Sequence, residues 1–260
     1  MTGTVTDVQV RELTALTDLE AVYQLFDAIW RPDPHNPPVT TELLRALSKA
    51  GNYVSGAYDG TELVGACVGF FGAPSERTLH SHVAGVSHQA RSRNVGFALK
   101  LHQRDWALQR GLSAIEWTFD PLIRRNAYFN LVKLGARPVQ YLTNFYGQMR
   151  DEINGNDQSD RLLVRWQIDE PVGGIEPSAA SIALDRGSDG RPVRTEPATT
   201  GAVAIAVPAD VEALRTTDFA AAQEWRLAVR EALGGLLAAG ARVTGFDRAG
   251  WYVVEREGVA

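Results

Sequence analysis

The run from Val86 to Lys100 constrains the fold of this chain more than any other stretch of its sequence. It has the pattern of a strand that passes into an arginine-rich turn, and the turn opens a helix at Gly96. In Arg93-x-x-Gly96-x-Ala98, small residues allow several backbone N–H groups to converge beside positive side chains. A helix N-terminus carries unpaired N–H groups and a partial positive charge, so this turn suits an anion, above all a pyrophosphate. The turn alone is equally consistent with a plain strand–turn–helix whose arginines are solvated.

The composition is that of a folded globular chain. With 260 residues, 45% of them hydrophobic and 22% charged, the chain can bury a core as one large domain or two smaller ones. No apolar run approaches the roughly 20 residues that span a bilayer. The N-terminus also lacks the basic-then-apolar pattern of a signal peptide, so we expect a cytoplasmic protein with no membrane partner. The single cysteine, Cys67, lies in an apolar strand-like run and is expected to be buried and unreactive.

Charge is divided unevenly along the chain. Residues 1–150 hold 15 Lys and Arg against 13 Asp and Glu (+2), and residues 151–260 hold 11 against 18 (−7), which together give the net charge of −5. Duplex binding depends on neutralising many phosphates, so we expect no nucleic-acid partner. The charge distribution still allows a local positive site that binds one phosphorylated ligand.

Apolar periodicity predicts an α/β unit over residues 8–150, a mixed central sheet with helices on both faces. Asp59-Gly60 predicts the turn of a hairpin within it. The predicted strands are 8–13, 53–58, 63–71, 79–86, 114–119 and 139–147, and the predicted helices are 18–30 (capped by Asp18), 40–50, 96–110 and 124–134. Helix 96–110 has an apolar stripe with Val95, Leu99, His102 and Trp106, and a polar side with Lys100, Gln103, Arg104 and Arg110.

The remainder of the chain changes character. Residues 151–200 are polar and then rich in Gly, Pro, Ser and Thr, which predicts a loop-rich connection with one strand at 162–168. Residues 201–260 predict a small α+β extension packed on the first domain. Its predicted elements are a strand at 202–207, a cap at Asp210, a helix at 218–240 and strands at 242–246 and 251–255.

The order of elements over residues 8–150 resembles the GNAT superfamily of acyl-CoA-dependent N-acyltransferases. Arg93-x-x-Gly96-x-Ala98 resembles that family's Gln/Arg-x-x-Gly-x-Gly/Ala signature before its third helix. Asn126-Ala-Tyr-Phe-Asn130, followed by Lys133-Leu-Gly135, is similar to the family's later segment along the coenzyme A pocket. The fold class implied is a GNAT fold, and the C-terminal extension resembles that of a predicted bacterial subgroup.

The resemblance implies acetyl-CoA or another acyl-CoA as co-substrate. Backbone amides from Asn94 to Ala98 would hold its pyrophosphate beside Arg91 and Arg93. Strands 79–86 and 114–119 would diverge and leave the thioester between them. Asn126 is equally consistent with a simple helix cap. The residues assigned to the coenzyme are Gly85, Val86, Ser87, Arg91, Arg93, Asn94, Val95, Gly96, Phe97, Ala98, Asn126 and Asn130.

Direct transfer to an amine needs a base, and His80 and His82 are the candidates. They lie two apart on one predicted strand, so both side chains point to the same face. Histidine titrates near neutral pH, as removal of a proton from an ammonium requires. The alternative for each is a hydrogen-bonded structural histidine. No set of His, Asp and Glu has the spacing of metal ligands, so we expect no metal.

The general acid departs from the family pattern. Leu131 stands where many GNAT enzymes have a tyrosine, two residues before the lysine of a Lys-x-Gly step. Tyr128 lies nearly one helical turn earlier and is a weaker candidate for this role. Asp120 and Glu116 are candidates to bind the substrate amine, although Asp120 before Pro121 is also typical of a turn.

The sequence therefore predicts an acyl-CoA-dependent N-acyltransferase that acts on a small-molecule or peptide amine. The alternative is a GNAT-fold module that binds an acyl-CoA as a sensor or partner without transferring the acyl group. A homodimer stays open. The sequence does not specify the acceptor amine.

Overall fold

The computed structural model describes residues 8–34, 36–91, 93–149, 151–170, 180–198 and 200–256. The chain divides into two compact units. The first ends at Trp117 and also takes in Arg150–Glu152 and Gln167–Asp169, and the second comprises Thr118–Met149, Ile153–Trp166 and Glu170–Ala260. This division cuts through the predicted domain 8–150, whose limits stay a prediction together with 151–200 and 201–260. Residues 171–179 of the predicted loop-rich connection lie outside the described residues.

The sheet of the first unit follows the predicted strands closely. Neighbouring strands are antiparallel except for the last, which runs parallel to the strand before it. The predicted hairpin turn contains Gly60 with a φ of 59°, a left-handed conformation that glycine adopts without steric cost. In order across the sheet, the strands are β1 (Gln9–Glu12), β2 (Tyr53–Asp59), β3 (Glu62–Phe71), β4 (Thr78–Val86) and β5 (Ala114–Phe119), whose last two residues belong to the second unit.

Two helices, α1 (Leu16–Trp30) and α2 (Thr41–Lys49), cover one face of this sheet. Their apolar side chains share a core with Val54, Ala66 and Val68 of β2 and β3. The hydroxyl of Thr40 caps α2 by accepting a hydrogen bond from the Leu43 N–H at 3.2 Å. The predicted cap of α1 was wrong: its N-cap is Ala15 without a side-chain bond. Asp18 lies in the first turn instead, where a negative charge favours the helix.

The third helix, α3 (Val95–Gln109), packs on the opposite face. On the apolar stripe of α3, Nδ1 of His102 lies 2.8 Å from the hydroxyl of Tyr53 on β2. At Gly65 of β3, an added Cβ would lie 3.0 Å from the side chain of Val95, so a glycine lets the helix approach closely. None of the helices in the described residues has the length and apolar character that crossing a membrane requires.

The second unit begins with a short helix, α4 (Arg124–Ala127), which continues as a π-helical stretch at Tyr128–Lys133. Strands β6 (Arg137–Leu142) and β7 (Arg161–Gln167) pair antiparallel within it through residues 161–165 of β7. A separate five-stranded sheet has the order β11-β12-β10-β8-β9. Its strands are β8 (Ala180–Arg186), β9 (Pro192–Arg194), β10 (Ala202–Ala206), β11 (Arg242–Phe246) and β12 (Trp251–Glu255).

The second unit holds more regular structure than its sequence indicates. Strands β8 and β9 lie where we expected loops. A separate helix, α5 (Val211–Thr217), follows the predicted cap at Asp210, whose carboxylate accepts a hydrogen bond from the Ala213 N–H at 3.0 Å. The predicted helix 218–240 is α6 (Phe219–Val229), a π-helical turn at Arg230–Gly234, and α7 (Gly235–Ala238).

Candidate functional site

Strands β4 and β5 form a fork within the first unit. They pair at only three positions, Thr78 with Ala114, Leu79 with Ile115 and His80 with Glu116. Beyond His80, β4 continues from Ser81 to Val86 with β3 on one side, and in the described residues of this unit no strand pairs with its other side. At about 3.3 Å per residue, this edge is about 20 Å long. Its backbone N–H and C=O groups can pair with an extended ligand.

A β-bulge lies on β4 at the beginning of this edge. Gly69 of β3 pairs with Ser81 and Val68 pairs with Val83, so His82 is the extra residue. A bulge leaves the backbone of the extra residue outside the ladder and re-aims its side chain. The bulge therefore leaves one residue outside the ladder next to the fork, and its imidazole is packed against protein on one side while part of it stays open to solvent.

The predicted pairing of His80 and His82 on one face is present. Their ring centroids lie 6.2 Å apart, and the ring of Phe70 on β3 lies 4.9 Å from His80 and 5.7 Å from His82. Burial, aided by the neighbouring His82 and Lys100, lowers the pKa of His80 to about 4. Burial also lowers the pKa of His82, although a hydrogen bond to the Pro38 carbonyl opposes this shift. Both imidazoles are therefore neutral at pH 7 and can accept a proton.

The segment after β4 turns sharply into α3. A 3₁₀ turn at His88–Ala90 is followed by Asn94, which has a left-handed φ of 59° and occupies the N-cap position of α3 without a side-chain hydrogen bond. A helix that begins at Val95 leaves the N–H groups of its first turn without acceptors inside the helix. Ala98 is the exception among the predicted donors, because its N–H donates to the Asn94 carbonyl at 3.0 Å. The available donors therefore belong to Asn94 and the first residues of α3.

The two arginines of the turn differ in their surroundings. Arg91 is exposed. Arg93 donates a hydrogen bond to the Asp59 carboxylate in the β2–β3 hairpin at 2.7 Å, with both side chains about two-fifths exposed. This ion pair lowers the pKa of Asp59. Arg93 is thus tied to the hairpin in this structure, and a role beside a pyrophosphate requires it to share or exchange this partner.

Ser87 gives an independent indication of a ligand near the end of β4. Its backbone N–H donates to the Val64 carbonyl at 2.8 Å, which continues the β3–β4 ladder by one residue. Its Oγ is buried and has no hydrogen-bond partner among the described residues. A buried hydroxyl without a partner costs free energy. The residues present therefore fit a polar ligand that runs along this part of β4.

Of the predicted site residues not yet described, Glu116 lies in the first unit and the others lie in the second unit. Asn126 and Asn130 lie on α4 and the π-helical stretch after it, and Asn130 is buried. The hydroxyl oxygen of Tyr128 accepts a hydrogen bond from Nε of Arg248 at 3.0 Å. Leu131, at the position of the family's tyrosine, is buried. In the first unit, Glu116 lies half-buried opposite His80.

Asp120 has a different role from the predicted one. Its carboxylate accepts two hydrogen bonds from Arg226, at 2.7 and 2.8 Å, and one from Arg215 at 2.5 Å. Asp157 binds the same two arginines, and all four side chains are at most 4% exposed. Burial raises the pKa of Asp120, but the charges and hydrogen bonds of Arg226 and Arg215 outweigh it and hold the pKa well below its usual range. Both oxygens are thus occupied, which corrects the prediction that Asp120 binds a substrate amine.

A buried lysine also lies at the fork, and the sequence pattern did not predict it. Lys100 and Gln103, on the predicted polar side of α3, are 5% and 0% exposed. Burial lowers the pKa of Lys100 to about 8. The sequence gives only a weak indication that Lys100 is buried. Helical periodicity separates polar from apolar residues, but it does not show that the sheet also covers part of the polar side.

Comparison with known proteins finds a family that resembles part of this chain. Residues 19–135, less than half of the chain, match the model of the GNAT acetyltransferase family. The chain matches none of the curated proteins.

Solved structures share the fold. An N-acetyltransferase from Staphylococcus aureus is 16% identical, with a TM-score of 0.50 over 62% of this chain and 99% of that one. The ribosomal-protein-S5-alanine acetyltransferase from Vibrio fischeri is 17% identical, with a TM-score of 0.50 over 63% of this chain and 96% of that one. The ribosomal-protein-alanine N-acetyltransferase from Brucella melitensis is 17% identical, with a TM-score of 0.50 over 61% of this chain and 99% of that one.

Proposed function

We propose that this protein is an acyl-CoA-dependent N-acyltransferase that moves an acetyl or other short acyl group from coenzyme A to a primary amine. The transfer would be direct, within a complex of enzyme, acyl-CoA and amine. The observation that carries the proposal is the fork: β4 leaves β5 after three paired positions and leads into the N-terminus of α3. A ligand with a diphosphate and an extended amide-containing arm matches this succession of an anion site and an unpaired strand edge.

The coenzyme would be held mainly by backbone groups. Within the proposed pantetheine segment Gly85, Val86 and Ser87, the N–H of Ser87 already bonds to β3, so the backbone of Val86 would pair with the arm and the hydroxyl of Ser87 would gain the partner that it lacks. The N–H groups of Asn94, Val95, Gly96 and Phe97 would bind the pyrophosphate, with Arg91 adding positive charge. Asn126 and Asn130 remain proposed coenzyme contacts, and Glu116 a proposed contact to the amine.

His82 would act as the base. The attacking amine must be neutral, and a neutral imidazole at the bulge can take its proton, directly or through one water. His80, with its pKa lowered to about 4, is a poorer proton acceptor at neutral pH. Its proposed role is to help position the neighbouring His82. An unpaired backbone N–H at the bulge would stabilise the oxyanion of the tetrahedral intermediate. Tyr128 remains a candidate for the acid, since the contact with Arg248 uses its oxygen and not its proton.

Isothermal titration calorimetry with acetyl-CoA and with desulfo-CoA tests the binding half of the proposal. We expect both to bind with similar affinity, because the anion site and the strand edge contact parts of the molecule that the two share. Asn94→Val should weaken both, because a β-branched residue is strained at a left-handed φ. Asn94→Gly is the matched control and should bind as the wild type does. No heat of binding for either ligand at high concentration would overturn the proposal.

Release of coenzyme A thiol tests the transfer half. Purified protein with acetyl-CoA would be assayed against a panel of primary amines that includes a peptide with a free N-terminus, a lysine side chain, a polyamine and an aminoglycoside. Transfer to any of them supports the enzyme. Leu131 favours the second candidate, a sensor or partner module, because a buried leucine cannot replace the tyrosine hydroxyl. Coenzyme binding without transfer to any amine would support that candidate.

A further inference from the structure

Lys100 carries a positive charge into the interior of the first unit. Its Nζ donates hydrogen bonds to the Oγ of Ser81 at 2.8 Å and to the Oε1 of Gln103 at 3.1 Å, and it lies 3.8 Å from the centroid of the Trp117 ring. Among the described residues, no carboxylate forms an ion pair with this ammonium or shifts its pKa. A buried charge without a counter-charge costs stability, so its presence points to a function.

The position of this ammonium coincides with the closed end of the fork. The last paired residues of β4 and β5 are His80 and Glu116, and the next residue on each strand contacts Lys100. Ser81 does so through its hydroxyl and Trp117 through the face of its ring. Lys100 thus touches both strands at the point where they separate, on the face of the sheet covered by α3.

Building on the function proposed above, we propose that Lys100 is the general acid, which protonates the sulfur of coenzyme A as the thioester breaks. The amine nitrogen forms a bond to the acyl carbon, and its proton passes to His82. When the tetrahedral intermediate collapses, the carbon–sulfur bond breaks and its electron pair goes to sulfur. A proton from Nζ of Lys100 forms the S–H bond and leaves a neutral lysine amine. Solvent then removes the proton from His82 and returns one to Lys100, so protons and charges balance.

The surroundings of Lys100 suit this exchange. Burial lowers its pKa to about 8, close to the value of about 8.5 for an ordinary thiol, so the two groups are similar enough in acidity for a proton to pass between them. The titratable groups that face it are neutral at pH 7. Cys67 of β3 has its pKa raised by burial, and His80 of β4 has its pKa lowered to about 4. A negative sulfur would therefore be the strongest electrostatic partner for this ammonium. The assignment also supplies the acid that Leu131 cannot.

The thiol of bound coenzyme A gives a readout that needs no acceptor amine. Its titration would be followed by the ultraviolet absorbance of the thiolate in complexes of coenzyme A with the wild type and with Lys100→Met. The substitution keeps the length of the side chain and removes its charge. Since an opposite charge within about 4–6 Å shifts a pKa by about 1–3 units, we expect the bound thiol to titrate at least one unit higher in the variant. Lys49→Met, on the exposed end of α2, should match the wild type.

Lys100→Arg separates charge from proton transfer and covers the case in which Lys100→Met does not fold. Arginine keeps the positive charge but does not release a proton near neutral pH. The bound thiol should therefore titrate as in the wild type, while turnover falls about 100-fold and the kcat profile loses its limb near pH 8. An equal thiol pKa in wild type and Lys100→Met, or an unchanged kcat profile in Lys100→Arg, would overturn the role of Lys100 and leave the proposed function intact. Failure of the wild type to bind coenzyme A would overturn both.

Discussion

Asp120→Asn is expected to destabilise the second unit strongly, because it removes one of two carboxylates that neutralise a pair of buried arginines. The side chains of Asp120 and Arg226 are 3% and 2% exposed, and their paired N–O contacts are 2.7 and 2.8 Å. Unit charges about 4 Å apart interact by about 4 kcal/mol at an effective dielectric constant of 20. Removal of one partner of a buried ion pair costs about 3–5 kcal/mol. Asp157 still faces both arginines, so we expect a loss near 3 kcal/mol.

Urea unfolding followed by far-ultraviolet circular dichroism measures this loss as the change in the free energy of unfolding. Glu231→Gln is the matched control in the same unit, since it breaks the ion pair with Arg194, whose side chains are 61% and 55% exposed. Such a surface pair contributes at most about 1 kcal/mol. If Asp120→Asn costs no more than Glu231→Gln and instead raises the KM for the amine, the buried-cluster argument fails and the substrate-binding role returns.

Three other outcomes follow from the structure. His82→Ala should lower kcat about 100-fold or more while the calorimetric Kd for desulfo-CoA stays unchanged, and unchanged turnover would remove His82 from the mechanism. The pKa of Asp120 is lowered on folding, so its stabilising contribution is complete above the unfolded value of about 3.9 and decreases as the pH falls through the folded value. The gap in unfolding free energy between wild type and Asp120→Asn should therefore shrink only below about pH 4 in urea titrations. Tyr128→Phe should leave kcat nearly unchanged if Lys100 supplies the proton, whereas a 100-fold loss would assign that role to Tyr128.

Local signals in the sequence were sufficient where a short stretch determines its own structure. The Asp59-Gly60 turn between two apolar runs predicted the β2–β3 hairpin. The predicted end of β2 and the predicted start of β3 each differ from the structure by one residue. The helix predicted over residues 40–50 is α2 (Thr41–Lys49), which agrees with the prediction to within one residue at each end. The divergence of β4 and β5 followed only from the family resemblance, because strand pairing depends on residues far apart in sequence.

The sequence-based predictions that failed share one physical cause. Strands β8 and β9 are stabilised by pairing with each other and with β10, which a Gly- and Ser-rich segment does not reveal. Asp120 was assigned to a substrate because the arginines that bind it lie 95 and 106 residues later in the chain. Lys100 lies on the polar side of its helix by periodicity, and only the tertiary structure shows that this position is buried. Ion pairs between residues far apart in the sequence, and burial of a residue by distant elements, cannot be predicted from a short stretch of sequence.

Hydrogen exchange of the wild-type protein with and without acetyl-CoA tests the fork most directly. At a ligand concentration 100 times Kd, binding can slow exchange by up to about 100-fold at amides that open only in the unbound protein. We expect protection to concentrate at residues 82–87, along the unpaired edge of β4, and at residues 94–97, at the start of α3. Protection confined to other parts of the chain, with these two segments unchanged, would contradict it.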